Sequence, residues 1–97
     1  GIKEYSLYTA AKSSLESLTK SLAKELGPEI RVNAVAPGII LWPEDEDLSE
    51  ENKDKLIEKT ALRRIGSPED IANAVLTVHE LSYMTGQILN VDGGREH

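Results

Sequence analysis

Two short, mostly apolar segments, residues 30–36 and 87–91, each end at a glycine-containing turn. Pro37-Gly38 follows the first segment, and residues 92–94, Asp-Gly-Gly, follow the second. The first segment predicts a strand buried on both faces, as in a parallel sheet, and the second segment predicts another strand. Since the residues between them carry helical patterns, we predict a strand–helix–strand unit with parallel neighbouring strands and a right-handed connection.

Three helices are predicted from the spacing of apolar residues and from terminal signals. Before the first strand, apolar residues recur every three or four positions until Gly27-Pro28 stops the pattern. Between the strands, Asp47 or Ser49 can cap one helix, and Ser67 followed by Pro68 starts another. The predicted helices span residues 5–26, residues 47 or 49 to 59, and residues 68–81. Two strands in 97 residues are too few for a complete α/β domain, so we expect a piece of a larger one.

Tyr8 and Lys12 lie four residues apart in the first predicted helix, so their side chains share one face. An ammonium group beside a phenol favours the ionised phenol in a partly dry site. Such a phenol can deliver a proton to a substrate atom that receives a hydride. The alternative interpretation is a chance pair on a solvated helix.

The turn after the first strand is a second candidate site. Ligands of open α/β sheets bind beyond the carboxyl ends of the strands, and Pro37-Gly38 offers a turn with no side chain to block a flat ring or a phosphate. An ordinary turn is the alternative. The following loop carries Trp42, which either lines an aromatic substrate pocket or anchors the loop on the protein body.

Composition argues against several kinds of function. The net charge of −6, with no basic stripe, argues against nucleic acid and against an anionic membrane surface. There is no cysteine, and the acidic run at residues 44–47 has no histidine beside it, so we predict no metal site. No apolar run is long enough to span a bilayer, and the lack of cysteine fits the cytoplasm.

Four ordered motifs together are typical of one family. They are Tyr8-x-x-x-Lys12, residues 31–38 (RVNAVAPG), residues 66–72 (GSPEDIA) and residues 85–94 (TGQILNVDGG). With these motifs, nearly the whole chain resembles the C-terminal part of a short-chain dehydrogenase/reductase. The resemblance implies an α/β fold with a Rossmann-type, doubly wound parallel sheet. Residues 1–97 would be the C-terminal segment of that single domain, with its last two strands, and the N-terminal cofactor-binding half would be absent.

The resemblance also implies roles for individual residues. Tyr8 would be the proton donor, and Lys12 would bind the nicotinamide ribose and assist Tyr8. Pro37-Gly38 would pass the nicotinamide, while Ile39 and Ile40 would supply backbone groups near its carboxamide and the phosphates. Members of the family commonly pack the tyrosine-bearing helix against another subunit, usually within a homotetramer. The 97-residue segment alone would be inactive.

Within the family, the chain is most similar to bacterial pteridine reductases. This likeness depends on the paired tyrosines Tyr5 and Tyr8 and on residues 37–44 (PGIILWPE). It implies NADPH-dependent reduction of a dihydropterin, with dihydrofolate as a further substrate and Trp42 at the mouth of the pocket. The alternatives are a 3-oxoacyl thioester reductase or another carbonyl or alcohol oxidoreductase of the family, a non-catalytic binding or scaffold subunit, and a free-standing helical interaction module.

Overall fold

The computed structural model describes residues 2–41 and 48–95, with side chains from residue 6 onward. In chain order, the elements are α1 (Ile2–Leu26), β1 (Ala34–Pro37), α2 (Glu50–Glu58), α3 (Pro68–Glu80) and β2 (Ile88–Val91). The two strands pair in parallel in a two-stranded sheet. This confirms the predicted α/β class and the parallel pairing, while the handedness of the connection stays a prediction.

The helices end close to where the local sequence signals place them. α1 ends at Leu26 as predicted, although it begins at Ile2 instead of residue 5. At the start of α2, the Ser49 hydroxyl accepts a hydrogen bond from the Asn52 N–H at 3.2 Å, which identifies Ser49 as the N-cap. Asp47, the other candidate cap, lies outside the described residues.

β1 starts at Ala34, four residues later than predicted. The residues before it bind the loop that follows α3 through several side-chain hydrogen bonds and one backbone bond. Arg31 Nη1 and Asn33 Nδ2 both donate hydrogen bonds to the Met84 carbonyl oxygen, at 3.1 and 2.9 Å. Gln87 N–H donates to Asn33 Oδ1 at 3.1 Å. Backbone hydrogen bonds join the Gly86 N–H to the Val32 carbonyl oxygen at 2.7 Å and the Ala34 N–H to the Gln87 carbonyl oxygen at 2.9 Å.

β1 is not buried on both faces, which corrects the expectation from sequence, and β2 is no more buried. The residues of β1 and β2 are half-buried or exposed throughout. A two-stranded sheet leaves each strand with one unpaired edge, so neither strand is central. In the described part of the chain, the buried apolar side chains are Ala23, Ile40 and Val78.

The chain forms two compact units. They comprise Gly1–Ala34 with Leu81–Leu89, and Val35–Glu80 with Asn90–His97. In the first unit, a Cβ added to Gly86 would lie 3.5 Å from the Ala23 Cβ, and the φ of +72° at Gly86 favours glycine. In the second unit, the Thr60 side chain is buried, and its hydroxyl accepts a hydrogen bond from the Arg64 N–H at 3.1 Å and donates one to the Ile57 carbonyl oxygen at 2.9 Å.

Candidate functional site

Tyr8 and Lys12 lie on one face of α1, because the helix is continuous through both residues. Tyr8 is 44% exposed, and Lys12 is half-buried. In contrast to Lys12, Lys20, about two turns further along the helix, is exposed, and it pairs with Glu16 at 3.2 Å. The structure therefore gives the phenol and the ammonium group the shared face that the sequence predicts, and their catalytic roles stay predictions.

Gly38 lies directly against Asp92. Its N–H donates to the Val91 carbonyl oxygen at 3.0 Å, which extends the pairing of the two strands beyond the end of β1. A Cβ added to Gly38 would lie 2.6 Å from both the Cα and the Cβ of Asp92, which no side chain tolerates without a shift. We expected the missing side chain at this turn to leave room for a ligand. Asp92 occupies the space in which that Cβ would lie, and the role of Pro37-Gly38 as a ligand-binding turn stays a prediction.

Ile39 and Ile40 are held by a parallel bridge to Gly66. Gly66 N–H donates to the Ile39 carbonyl oxygen at 2.9 Å, and Leu41 N–H donates to the Gly66 carbonyl oxygen at 2.9 Å. Among the described residues, the N–H groups of Ile39 and Ile40 have no hydrogen-bond partner. Since backbone N–H groups are strong donors, both can bind a carbonyl or phosphate oxygen of a ligand.

Arg64 and Asp70 form a bidentate ion pair that the sequence analysis missed. Arg64 Nη1 lies 2.9 Å from Asp70 Oδ2, and Nη2 lies 3.1 Å from Oδ1. The hydrogen bond from Arg64 holds the pKa of Asp70 well below its usual range, and the backbone bond from Ser67 acts in the same direction. The sequence around Ser67 does signal a helix start, but nothing in it points to Arg64, which becomes a partner only when the chain turns back.

These groups line one cavity of about 120 Å³ in the second unit. Its walls include Ile39, Ile40, Arg64, Asp70 and Asp92. Pockets that enclose a whole drug-sized ligand measure roughly 300–1,000 Å³. The cavity therefore has room for a small group of a larger ligand, and not for a dinucleotide.

Several predicted site residues cannot be placed in one site. Trp42 and the acidic run at residues 44–47 lie outside the described residues. Tyr8 and Lys12 belong to the first unit and Pro37–Ile40 to the second, so their convergence on one ligand stays a prediction. In the part of the chain that is described, no group of three or more His, Asp or Glu residues could hold a metal ion. None of the helices described there is long and apolar enough to cross a membrane.

Comparison with known proteins relates nearly the whole chain to oxidoreductases. Residues 1–96 match the family described as Enoyl-(Acyl carrier protein) reductase. The 3-oxoacyl-(acyl-carrier-protein) reductase of Aquifex aeolicus is 51% identical over 90 residues, which cover 90% of this chain and 36% of that protein. The 3alpha-hydroxysteroid dehydrogenase of Mediterraneibacter gnavus is 52% identical over 89 residues, which cover 89% of this chain and 36% of that protein.

The fold is also found in a solved structure. A small-chain dehydrogenase in complex with NADPH superposes with a TM-score of 0.76 at 36% sequence identity, over 88% of this chain and 40% of that one. The chain spans little more than a third of the length of the curated relatives it matches. The likeness therefore concerns one part of these proteins.

Proposed function

Because the chain belongs to the short-chain dehydrogenase/reductase family, we propose that the full-length protein is an NADPH-dependent reductase of 3-oxoacyl thioesters. The Rossmann-type α/β fold expected for this family is confirmed by its solved members. The observation that carries the proposal is the 51% identity to a 3-oxoacyl-(acyl-carrier-protein) reductase. The presence of Tyr8 and Lys12 on one helix face argues against a non-catalytic scaffold subunit.

Tyr8 acts on the oxygen of the 3-oxo group. As the carbonyl carbon accepts a hydride, the π bond to oxygen opens and the oxygen takes the Tyr8 hydroxyl proton, which gives a 3-hydroxyacyl thioester. Lys12 stabilises the negative charge left on the Tyr8 oxygen and binds the nicotinamide ribose. Bound NADPH would supply the hydride.

The backbone at Ile39 and Ile40 fits a nicotinamide carboxamide. Both N–H groups lack a partner within the described residues, and a carboxamide oxygen accepts such bonds. They follow the carboxyl end of β1 through Pro37-Gly38, which is where ligands of open parallel sheets bind. NADPH is the proposed cofactor, since the solved relative described above was determined with it.

The choice of substrate depends on the relatives. The likeness of residues 37–44 to pteridine reductases implies a dihydropterin, with Trp42 at the mouth of the pocket. The two relatives described above are named for 3-oxoacyl and hydroxysteroid substrates, and they give the dihydropterin no support. At 52% identity, the hydroxysteroid dehydrogenase makes another carbonyl or alcohol substrate of the family the second candidate.

Oxidation of NADPH by the purified full-length protein tests this proposal. We expect NADPH to be consumed with an acetoacetyl thioester and not with dihydrobiopterin or a 3-oxosteroid. Consumption with only one of the latter two would replace the thioester by that compound. If NADPH binds but none of the three is reduced, the scaffold interpretation gains over the enzymatic one.

A homotetramer in the cytoplasm is the proposed state of the full-length protein. Among its described residues, α1 carries four exposed leucines, Leu7, Leu15, Leu18 and Leu26, at 65%, 39%, 56% and 37% exposure. Packing against the same helix of another subunit would cover them, although packing on a sheet of the same subunit would do so too. The molar mass of the full-length protein from light scattering tests the assembly. Four chains per particle are expected, and a monomer contradicts it.

A further inference from the structure

The segment around Gly66 is fixed on both sides. Asp70 Oδ2 accepts hydrogen bonds from Arg64 Nη1 at 2.9 Å and from the Ser67 N–H at 2.8 Å, and Oδ1 accepts one from Arg64 Nη2 at 3.1 Å. The Arg64 N–H donates to the buried Thr60 hydroxyl at 3.1 Å. Asp70 therefore ties the residues that precede Gly66 to those that follow it.

Gly66 is hydrogen-bonded to the residues that follow β1. Its N–H and carbonyl oxygen bond the Ile39 carbonyl oxygen and the Leu41 N–H, both at 2.9 Å. Within residues 2–41 and 48–95, these are the only hydrogen bonds to the backbone of Ile39, Ile40 and Leu41. The Ile39 and Ile40 N–H groups therefore lie between two fixed points, the bond of the Gly38 N–H to Val91 on one side and the bonds to Gly66 on the other.

We infer that Arg64 and Asp70 are positioning residues that set the nicotinamide-binding backbone at Ile39 and Ile40. The inference rests on the proposed function, which assigns the nicotinamide to those two N–H groups. Both side chains also line the cavity that Ile39 and Ile40 line, so a displaced guanidinium or carboxylate would change the same space. Neither is a catalytic residue, because proton transfer is assigned to Tyr8.

The Arg64–Asp70 ion pair is exposed to solvent, so we expect it to affect the local backbone geometry more than the stability of the whole protein. The Arg64 side chain is 56% exposed and that of Asp70 28%. Ion pairs in contact with solvent contribute little to global stability, whereas a bidentate pair fixes geometry. Loss of the two hydrogen bonds from the Arg64 guanidinium should therefore displace the local backbone and have little effect on the free energy of unfolding. Arg64→Gln also retains the bond from the Ser67 N–H to Asp70, so the start of α3 stays capped.

The test compares NADPH with its adenine half, adenosine 2′,5′-bisphosphate, which lacks the nicotinamide, its ribose and the phosphate next to it, as ligands of the full-length protein. For Arg64→Gln, we expect the Kd of NADPH to rise about tenfold, since one or two misaligned hydrogen bonds account for a change of that size. The Kd of the adenine half should stay within about twofold, because that half makes no contact with the nicotinamide site. Asp70→Asn should behave like Arg64→Gln. Asp70→Glu should restore NADPH binding, since glutamate at this third helical position also caps.

Glu51→Gln is the matched control, because it removes an exposed ion pair with Lys55, 3.9 Å long, in the same unit. It should change neither Kd. If Arg64→Gln weakens the affinity for both ligands equally, or changes the affinity for neither, the inference is overturned. A wild-type protein that binds no NADPH would overturn the proposed function. A wild-type protein that binds NADPH and shows the split, yet reduces no thioester, would support the inference and reject only the proposed substrate.

Discussion

The Tyr8 hydroxyl is the group whose removal should cost the most activity. In the full-length protein, Tyr8→Phe should lower kcat by about 100- to 10,000-fold, because it deletes the proton donor. The Kd of NADPH should stay within about twofold, since only one oxygen is lost. Rates of NADPH oxidation and a fluorescence titration measure the two effects. Tyr83→Phe, at a fully exposed tyrosine, should change neither. Wild-type turnover in Tyr8→Phe would remove Tyr8 from the mechanism.

Lys12 is assigned two tasks, which a single variant can separate. Lys12→Ala should weaken NADPH binding, because the ribose loses a donor, and should lower kcat, because the charge left on Tyr8 loses its counterion. Lys20→Ala is the control on the same helix, because this lysine is exposed and pairs with Glu16. The Kd of NADPH is measured without thioester, and kcat is measured at saturating thioester. A fall in one quantity alone would leave Lys12 with only that task.

Asp70 makes stability depend on pH in a defined range. Arg64 and Ser67 lower its pKa in the folded state, whereas the unfolded chain titrates near the ordinary value of about 3.9. The stabilisation is therefore present above that pH and is lost as the pH falls through the folded pKa. The difference in unfolding free energy between wild type and Asp70→Asn should be constant from roughly pH 5 to 8 and shrink below about pH 4. Urea denaturation of the full-length protein measures it. A difference that shrinks near neutral pH would contradict the assignment.

At the scale of elements, local chemistry predicts where helices start, and distant contacts decide where strands start. Ser67 and Ser49 cap helices through bonds to residues three positions further on, so a short sequence window contains both partners. β1 starts late because Arg31 and Asn33 bind the Met84 carbonyl oxygen, more than 50 positions away. No periodicity in the sequence reports such a contact.

The candidate site follows the same rule. Tyr8 and Lys12 could be predicted as a pair because one helix holds both. The partner of Gly38 is Asp92, at the end of the other strand, and only the folded sheet brings the two together. Arg64 and Asp70 meet across a turn that no helical or strand spacing describes. Site residues that lie in one helix can therefore be predicted as a pair from the sequence, whereas contacts between residues of different elements cannot.

Two glycines beside the end of β1 should respond differently to alanine. A Cβ at Gly38 would lie 2.6 Å from the Asp92 backbone, whereas a Cβ at Gly66 would lie 2.7 Å from the tip of the flexible Ile40 side chain. Since a backbone cannot move as easily as a side-chain tip, Gly38→Ala should destabilise by about 1–3 kcal/mol and Gly66→Ala by less. Thermal denaturation of the two full-length variants gives the comparison. The reverse order would show that the 38–92 contact is not rigid.

At the scale of the whole molecule, the described residues leave much apolar surface uncovered. No side chain among them is completely buried, and α1 and α3 expose large apolar residues such as Leu18, Val75 and Leu76. The matched relatives are nearly three times as long as the aligned segment. We expect the remaining part of the full-length protein to pair with the sheet and to cover these side chains.

Residues 1–97 expressed alone should therefore unfold gradually, whereas the full-length protein should unfold in one cooperative transition. A two-stranded sheet with half-buried strands supplies too little burial to couple the elements, so each helix should lose structure independently. Circular dichroism at increasing temperature follows the helices in both proteins, and light scattering checks that the short chain is monomeric. A sharp transition of monomeric 1–97, independent of concentration, would show that these five elements form a domain by themselves. That result would favour the free-standing helical module over the family domain proposed above.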